Sequence, residues 1–205
     1  MRAVPANRWI VFLLIAVVGC AVDLLTKSWL FSWLGMPGEK PSYWLVDNIF
    51  GFTISLNEGA LFGLGQGQVN LFAVLSVVAA IGVLYWLFWK GAAEDWLLTI
   101  ALGAVMAGIF GNLYDRLGIP GLKWAPPDLR SHQAGDPVYA VRDWIHFKID
   151  AIGFDWPIFN IADSLLVCGA GLLVWHSFRS EVPQTKPSPQ GAEKNAAPSE
   201  GQGRK

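Results

Sequence analysis

The chain has 205 residues, 53% of them hydrophobic and only 15% charged, with a mean hydropathy of +0.39, which is too apolar for an ordinary water-soluble domain and points to lipid as its solvent. Its formal net charge is −1 and no run of Lys/Arg alternates with aromatics, so composition excludes a nucleic-acid-binding surface. Cys20 and Cys168 both lie inside long apolar runs, where packing residues are expected rather than a disulfide or a metal pair.

In chain order, the first apolar run covers 9–30, interrupted only by Asp23 and the stretch 26–28, and is long enough to cross a hydrocarbon core of roughly 30 Å. An outer segment at about 31–69 follows. Within it, 49–57 alternates, with Phe50, Phe52, Ile54 and Leu56 on one face and Gly51, Thr53, Ser55 and Asn57 on the other, which predicts a strand. Runs at 70–89 and 96–113 are separated by a link so short, 90–95, that they must be antiparallel neighbours. A second outer segment covers 117–156. Its first part, 117–135, carries Pro120, Pro126 and Pro127 and reads as a loop, and 137–143 is a further candidate strand. The fourth run, 157–178, starts at Pro157, a residue suited to a first helical turn.

The expected fold is therefore an α-helical membrane protein with four transmembrane helices and a small extracytoplasmic β-sheet. Residues 1–178 form the four-span unit, and 179–205, rich in Pro, Gly, Ser, Gln and Lys, a disordered cytoplasmic tail. Arg2, Arg8, Lys90, Arg179 and Lys186 flank one set of span ends, which places both termini in the cytoplasm. Trp29, Trp33, Trp44, Trp124, Trp144 and Trp156 cluster near or outside span ends, as amphipathic rings at an interface do.

Ionisable groups in spans are expensive and usually face a bundle interior. With this topology Asp23 and Lys27 fall late in the first span, Asn112 to Arg116 end the third, and Asn160 to Asp163 open the fourth, so all meet in one layer near the outer face. Asp23 and Lys27 stand at i and i+4, the spacing of a self-neutralising pair, with direct contact to substrate as the alternative. Gly108, Asn112 and Arg116 share a face of the third span, beside a small-residue stripe of Gly103, Ala107 and Gly111 that permits close packing. Two aspartates, Asp143 and Asp163, suggest a specific chemistry. When two carboxylates share a site one stays protonated, so the ionised member can activate water while its partner polarises a carbonyl. The alternative is structural: Asp143 ends a strand and Asp163 caps or pairs within the bundle.

Five blocks carry a family resemblance: Asp23-Leu-Leu-Thr-Lys27, Asn57-Glu-Gly-Ala-Leu-Phe62, Gly108-Ile-Phe-Gly-Asn-Leu-Tyr-Asp-Arg116, Val141-Arg-Asp-Trp-Ile145 and Phe159-Asn-Ile-Ala-Asp-Ser164. In order and placement they resemble the lipoprotein signal peptidases, signal peptidase II, the membrane aspartic peptidases of bacteria. The resemblance implies a catalytic pair at Asp143 and Asp163. Asn57, Asn112, Arg116 and Asn160 would line the site and hold substrate or orient the pair, with Asp23, Lys27 and Asp115 supporting them. It implies no cofactor, a bacterial inner-membrane location, and a prolipoprotein substrate cut before its diacylglyceryl-modified cysteine. Two departures stand out. The link between Arg116 and Asp143 is longer than the family's usual one, and Arg142 occupies a usually apolar place. A cation there would favour an ionised Asp143 unless it points to the opposite strand face.

Other functions fit less well. A transporter predicts polar groups at the midplane and an inverted repeat, and neither is visible. His132, His146 and His176 are scattered, without a His-Glu-x-x-His helix for a metal. Ser164 lacks a lysine or histidine at helical spacing to activate it. Cys20 loosely imitates the end of a lipoprotein signal, but the apolar run continues past it and three spans follow.

Overall fold

A computed structural model describes residues 4–60, 64–126 and 128–180. Four helices are long and apolar enough to cross a membrane: α1 (Ala6–Leu34), α2 (Val69–Leu84, continued by a π-helical turn, Tyr85–Trp89), α3 (Trp96–Arg116) and α4 (Ile161–Ser180). Strands β1 (Tyr43–Val46), β2 (Phe50–Asn57), β3 (Val141–Ile149) and β4 (Phe154–Asp155) form one antiparallel sheet in the order β1-β2-β3-β4. The expected class, four apolar helices with a small sheet, is the one observed. The expected tail falls outside the described residues beyond Ser180.

The centre of the bundle is α3. Of its most apolar stretch 72% is buried, against 17% for α1 and 11% for each of α2 and α4. Small residues make this possible, since lipid gives apolar side chains no drive to leave it and helices associate through close contact instead. A Cβ on Gly108 would stand 2.5 Å from the Ala162 carbonyl oxygen, and one on Gly111 2.5 Å from Asp23 Oδ2. From the facing helices, a Cβ on Gly19 would meet Ala107 at 2.8 Å and one on Gly169 would meet Val105 at 2.6 Å. Asp95 caps the N-terminus of α3, accepting from the backbone N–H groups of Leu97 (2.6 Å) and Leu98 (3.2 Å).

Several boundaries differ from the sequence reading. Helix α4 begins at Ile161, because residues 157–160 are extended and Phe159 pairs with Ile145: each backbone N–H donates to the other's carbonyl, at 3.1 and 2.8 Å. The second candidate strand lies further along the chain, at Val141–Ile149, while β1 and β4 are too short to have stood out. Trp124 and Trp144 are 2% and 7% exposed; they are core residues, whereas Trp29, Trp33 and Trp156 do lie at the surface.

The alternation read in β2 is broken. Phe50 and Phe52 pair with Phe147 and Ile145, but the next partners are Ser55 and Asp143, then Leu56 with Arg142 and Asn57 with Val141. From Phe52 to Ser55 is three steps against two on β3, so β2 holds one extra residue, a β-bulge. Directly opposed residues share a face of the sheet. Without the bulge Ile54 and Leu56 would flank Asp143; with it, Ser55 and Asn57 do.

Candidate active site

The site is built in two tiers at the end of the bundle where α1 and α3 finish and α4 starts. The lower tier is an ion cluster. Lys27 Nζ lies 2.7 Å from Asp23 Oδ2 and 3.0 Å from Asp115 Oδ2, and all three side chains are fully buried. Arg142 completes it: its Nε donates to Asp115 Oδ1 (2.8 Å), its backbone N–H to Asp115 Oδ2 (3.1 Å) and its Nη1 to Ser28 Oγ (3.2 Å). Two cations thus face two carboxylates, the pairing that buried charges require. Asp23 also accepts from the Ala162 N–H at 2.8 Å, which puts a carboxylate on the positive end of the α4 dipole.

The upper tier is a relay of amides. Lys27 Nζ donates to Asn112 Oδ1 at 3.0 Å; an ammonium has no acceptor to offer, so it fixes which way the Asn112 amide faces. Asn112 Nδ2 is thereby aimed at Asp163 Oδ1, 2.8 Å away. Asn160 is the N-cap of α4, and its Oδ1 accepts from the Asp163 N–H (2.9 Å) while Asp163 Oδ2 accepts from the Asn160 N–H (3.3 Å), a reciprocal capping box. The Asn160 Nδ2 then donates to Asp143 Oδ1 (2.6 Å) and to Asn112 Oδ1 (3.2 Å). Asp143, from a strand, and Asp163, from a helix, are therefore held by two linked amides, Asp143 by Asn160 and Asp163 by Asn112.

Burial drives the Asp143 carboxyl well above the usual carboxylate range, and the Asp163 charge adds to the rise. Of the two readings left open for Arg142, the opposite strand face is the one observed. Arg142 does not make Asp143 acidic, because it sits one residue away on the opposite strand face and spends its guanidinium on Asp115.

Asn57 and Arg116 border the pair from the other side. Asn57 Oδ1 accepts from the Gly59 N–H (2.9 Å) and from Gln66 Nε2 (3.1 Å), and its Nδ2 donates to the Ala60 carbonyl (3.2 Å). Arg116 Nη2 donates to the Gly59 carbonyl at 2.9 Å, and its Nε is buried without a partner among the described residues. On the Asp163 side lies an apolar cavity of ≈ 310 Å³ lined by Asn57, Phe159, Asp163, Ser164, Val167 and Cys168. On the Asp143 side lies a smaller polar recess of ≈ 210 Å³ lined by Ser55, Asn57, Gln66, Arg130 and Asp143.

All nine residues singled out in the sequence meet in this one region. Sequence reasoning missed Ser28, Gln66 and the anchoring role of Arg142. An arginine beside an aspartate on a strand, with a second unpaired aspartate at a helix end, was the available signal for the last.

The sequence profile described as signal peptidase (SPase) II matches residues 15–179. The chain is 46% identical over 177 residues to a lipoprotein signal peptidase of Rhodopirellula baltica, covering 86% of this chain and 75% of that one. It is 35% identical over 162 residues to a lipoprotein signal peptidase of Bacillus pumilus, covering 79% and 88%. Among solved structures, a bacterial membrane enzyme determined by the in meso method at 2.3 Å superposes with a TM-score of 0.67 at 25% identity, over 86% of this chain and 92% of that one.

Proposed function

This chain belongs to the signal peptidase II family, and from that premise we infer that it removes signal peptides from prolipoproteins through the Asp143–Asp163 pair. The supporting observation is the pair of linked amides, Asn112 and Asn160, which hold the two carboxylates between an apolar cavity and a polar recess.

Asp143, pushed towards its protonated form, donates to the scissile carbonyl oxygen. Asp163, which accepts from Asn112 and from a backbone N–H, carries the negative charge and takes a proton from the attacking water. The tetrahedral intermediate collapses as Asp163 passes that proton to the departing cysteine nitrogen and Asp143 recovers its own. Asn112 and Asn160 orient the pair, Asp23, Lys27 and Asp115 support Asn112, and Asn57 and Arg116 hold substrate backbone.

The substrate's cysteine carries a diacylglyceryl group, and cleavage falls just before it. Each buried methylene contributes about 0.8 kcal/mol, but most of that gain is already present when the lipid rests in the bilayer. What the enzyme adds is alignment: the lipid fixes the depth of the cysteine, and the scissile carbonyl then meets the pair. A lipidated prolipoprotein peptide should be cut at least about tenfold faster than the same peptide without lipid, at saturating concentrations of each. Equal rates for a non-lipidated peptide anchored by its own apolar segment would overturn the alignment.

The location is the bacterial inner membrane, both termini cytoplasmic and the pair near the outer face. Arg8, Lys90 and Arg179 flank the helix ends opposite the pair, in line with positive-inside orientation. In a background lacking Cys20 and Cys168, an Ala134→Cys variant should react with an impermeant thiol reagent added outside intact cells. Labelling only after lysis would reverse the topology.

A further inference from the structure

The link from α3 to β3 is folded into a hairpin and reaches the turn that carries Asn57. Trp124 and Val138 anchor it: the Trp124 N–H donates to the Asp136 carbonyl (2.9 Å), the Gly135 N–H to the Trp124 carbonyl (2.9 Å) and the Val138 N–H to the Leu122 carbonyl (3.0 Å). The Trp124 ring packs with Phe31, Leu56, Val138 and Ala140. Its free face stacks on His132, centroids 4.4 Å apart and planes 9° from parallel. His132 Nε2 in turn lies 2.8 Å from Glu58 Oε1. Arg130 Nη1 stands 4.0 Å from the other Glu58 oxygen, and Arg130 Nε lies 3.4 Å from Asp128 Oδ2.

Among the described residues the Glu58 carboxylate meets His132 and Arg130 rather than the aspartates, but it lies between two residues that border them. Asn57 precedes it, on the sheet face of Asp143, and Gly59 follows it, with its carbonyl held by Arg116. Hydrogen bonds within the turn, the Gly59 N–H to Asn57 Oδ1, Asn57 Nδ2 to the Ala60 carbonyl (3.2 Å), the Glu58 N–H to Gln66 Oε1 (3.2 Å) and the Ala60 N–H to the Leu64 carbonyl (2.7 Å), engage its backbone and leave the Glu58 carboxylate to the hairpin. An anchor on a rigid neighbour narrows the freedom of such a turn further, and the stacked histidine is that neighbour.

We propose that the 117–140 hairpin is a strap for the substrate side of the cleft, and that His132 is a positioning residue, acting through Glu58 on Asn57 and the Gly59 carbonyl. The proposal rests on the peptidase reading for its kinetic consequence but not for its structural one, so it is tested on two readouts. The first is amide hydrogen exchange in the purified protein, which needs no activity. His132→Ala should accelerate exchange at Glu58, Gly59 and Ala60 about tenfold, while Gln133→Ala, an exposed neighbour on the same hairpin, leaves it unchanged. The second is cleavage of a lipidated prolipoprotein peptide. His132→Ala should raise KM about five- to tenfold with kcat within twofold of the unmodified enzyme. His132→Gln, whose amide nitrogen can still reach Glu58, should recover most of the loss. Glu58→Gln should give no additional loss when combined with His132→Ala.

Unchanged exchange in His132→Ala overturns the strap. Faster exchange with unaltered KM overturns the positioning role. A loss of rate that follows a lowered melting temperature and resists His132→Gln marks a purely structural residue. An unmodified enzyme that leaves the peptide intact would instead overturn the peptidase reading, and the exchange arm would still decide the strap.

Discussion

Asp143→Asn and Asp163→Asn should each lower cleavage of a lipidated prolipoprotein by about a thousandfold or more, with the protein still inserted and folded. An amide matches a carboxyl in size and keeps part of its hydrogen bonding, but it neither takes a proton from water nor lends one to a carbonyl. The Asp143 substitution should disturb the fold least, since that carboxyl is pushed towards its neutral form by burial and by the Asp163 charge. The same proton sets a pH limit. Because the group is raised, its proton is present at low and neutral pH and is lost as pH climbs through the raised value, so kcat/KM should fall on the alkaline side. Steady-state kinetics on a lipidated peptide across pH measures both effects. Near-normal turnover in either variant would remove the pair from the mechanism.

Lys27→Met should cost about 3–5 kcal/mol of stability, the usual consequence of stripping the partner from buried charge. The ammonium lies within 3.0 Å of Asp23, Asp115 and Asn112, and no other cation among the described residues shares that position. Its loss leaves Asp23 without a cation, and it also frees Asn112 to turn its amide, so Asp163 loses a fixed donor. Thermal unfolding in detergent should therefore show a large drop and cleavage should vanish. Adding Asp23→Asn to Lys27→Met removes the orphaned charge and should restore much of the stability but little of the activity. A single variant as stable as the unmodified protein would mean that the cluster is not what holds this end of the bundle.

How far the sequence could be read depended on whether the controlling interaction was local. The four spans were legible because an apolar run of that length fits little besides a membrane crossing. The Asp23–Lys27 pair followed from helical spacing alone, and the glycine face of α3 from the need for close backbone approach. Long-range pairing was not legible. Pro157 suits a helix start locally, yet the pairing of Phe159 with Ile145 holds the chain extended to Asn160. Arg142 could be placed on either side of β3 until its register was known, and the register sends it to Asp115. Trp124 and Trp144 carry the composition of interfacial residues, but the hairpin and the sheet bury them.

The extra residue in β2 makes the polarity of the cleft a matter of counting. Between the pairs Phe52–Ile145 and Ser55–Asp143, β2 carries two residues, Thr53 and Ile54, against the single Trp144 of β3, and that surplus sets the parity of everything downstream. Flatten the bulge into a regular register, with no side chain altered, and the strand would turn Ile54 and Leu56 towards the carboxylate and Ser55 and Asn57 away from it. A composition-preserving slip would then abolish the cleft as thoroughly as the loss of an aspartate. A chain with one residue fewer between Phe52 and Ser55 would keep the same faces without a bulge, so what the site requires is the pairing of Ser55 with Asp143 rather than the identity of the residues before it.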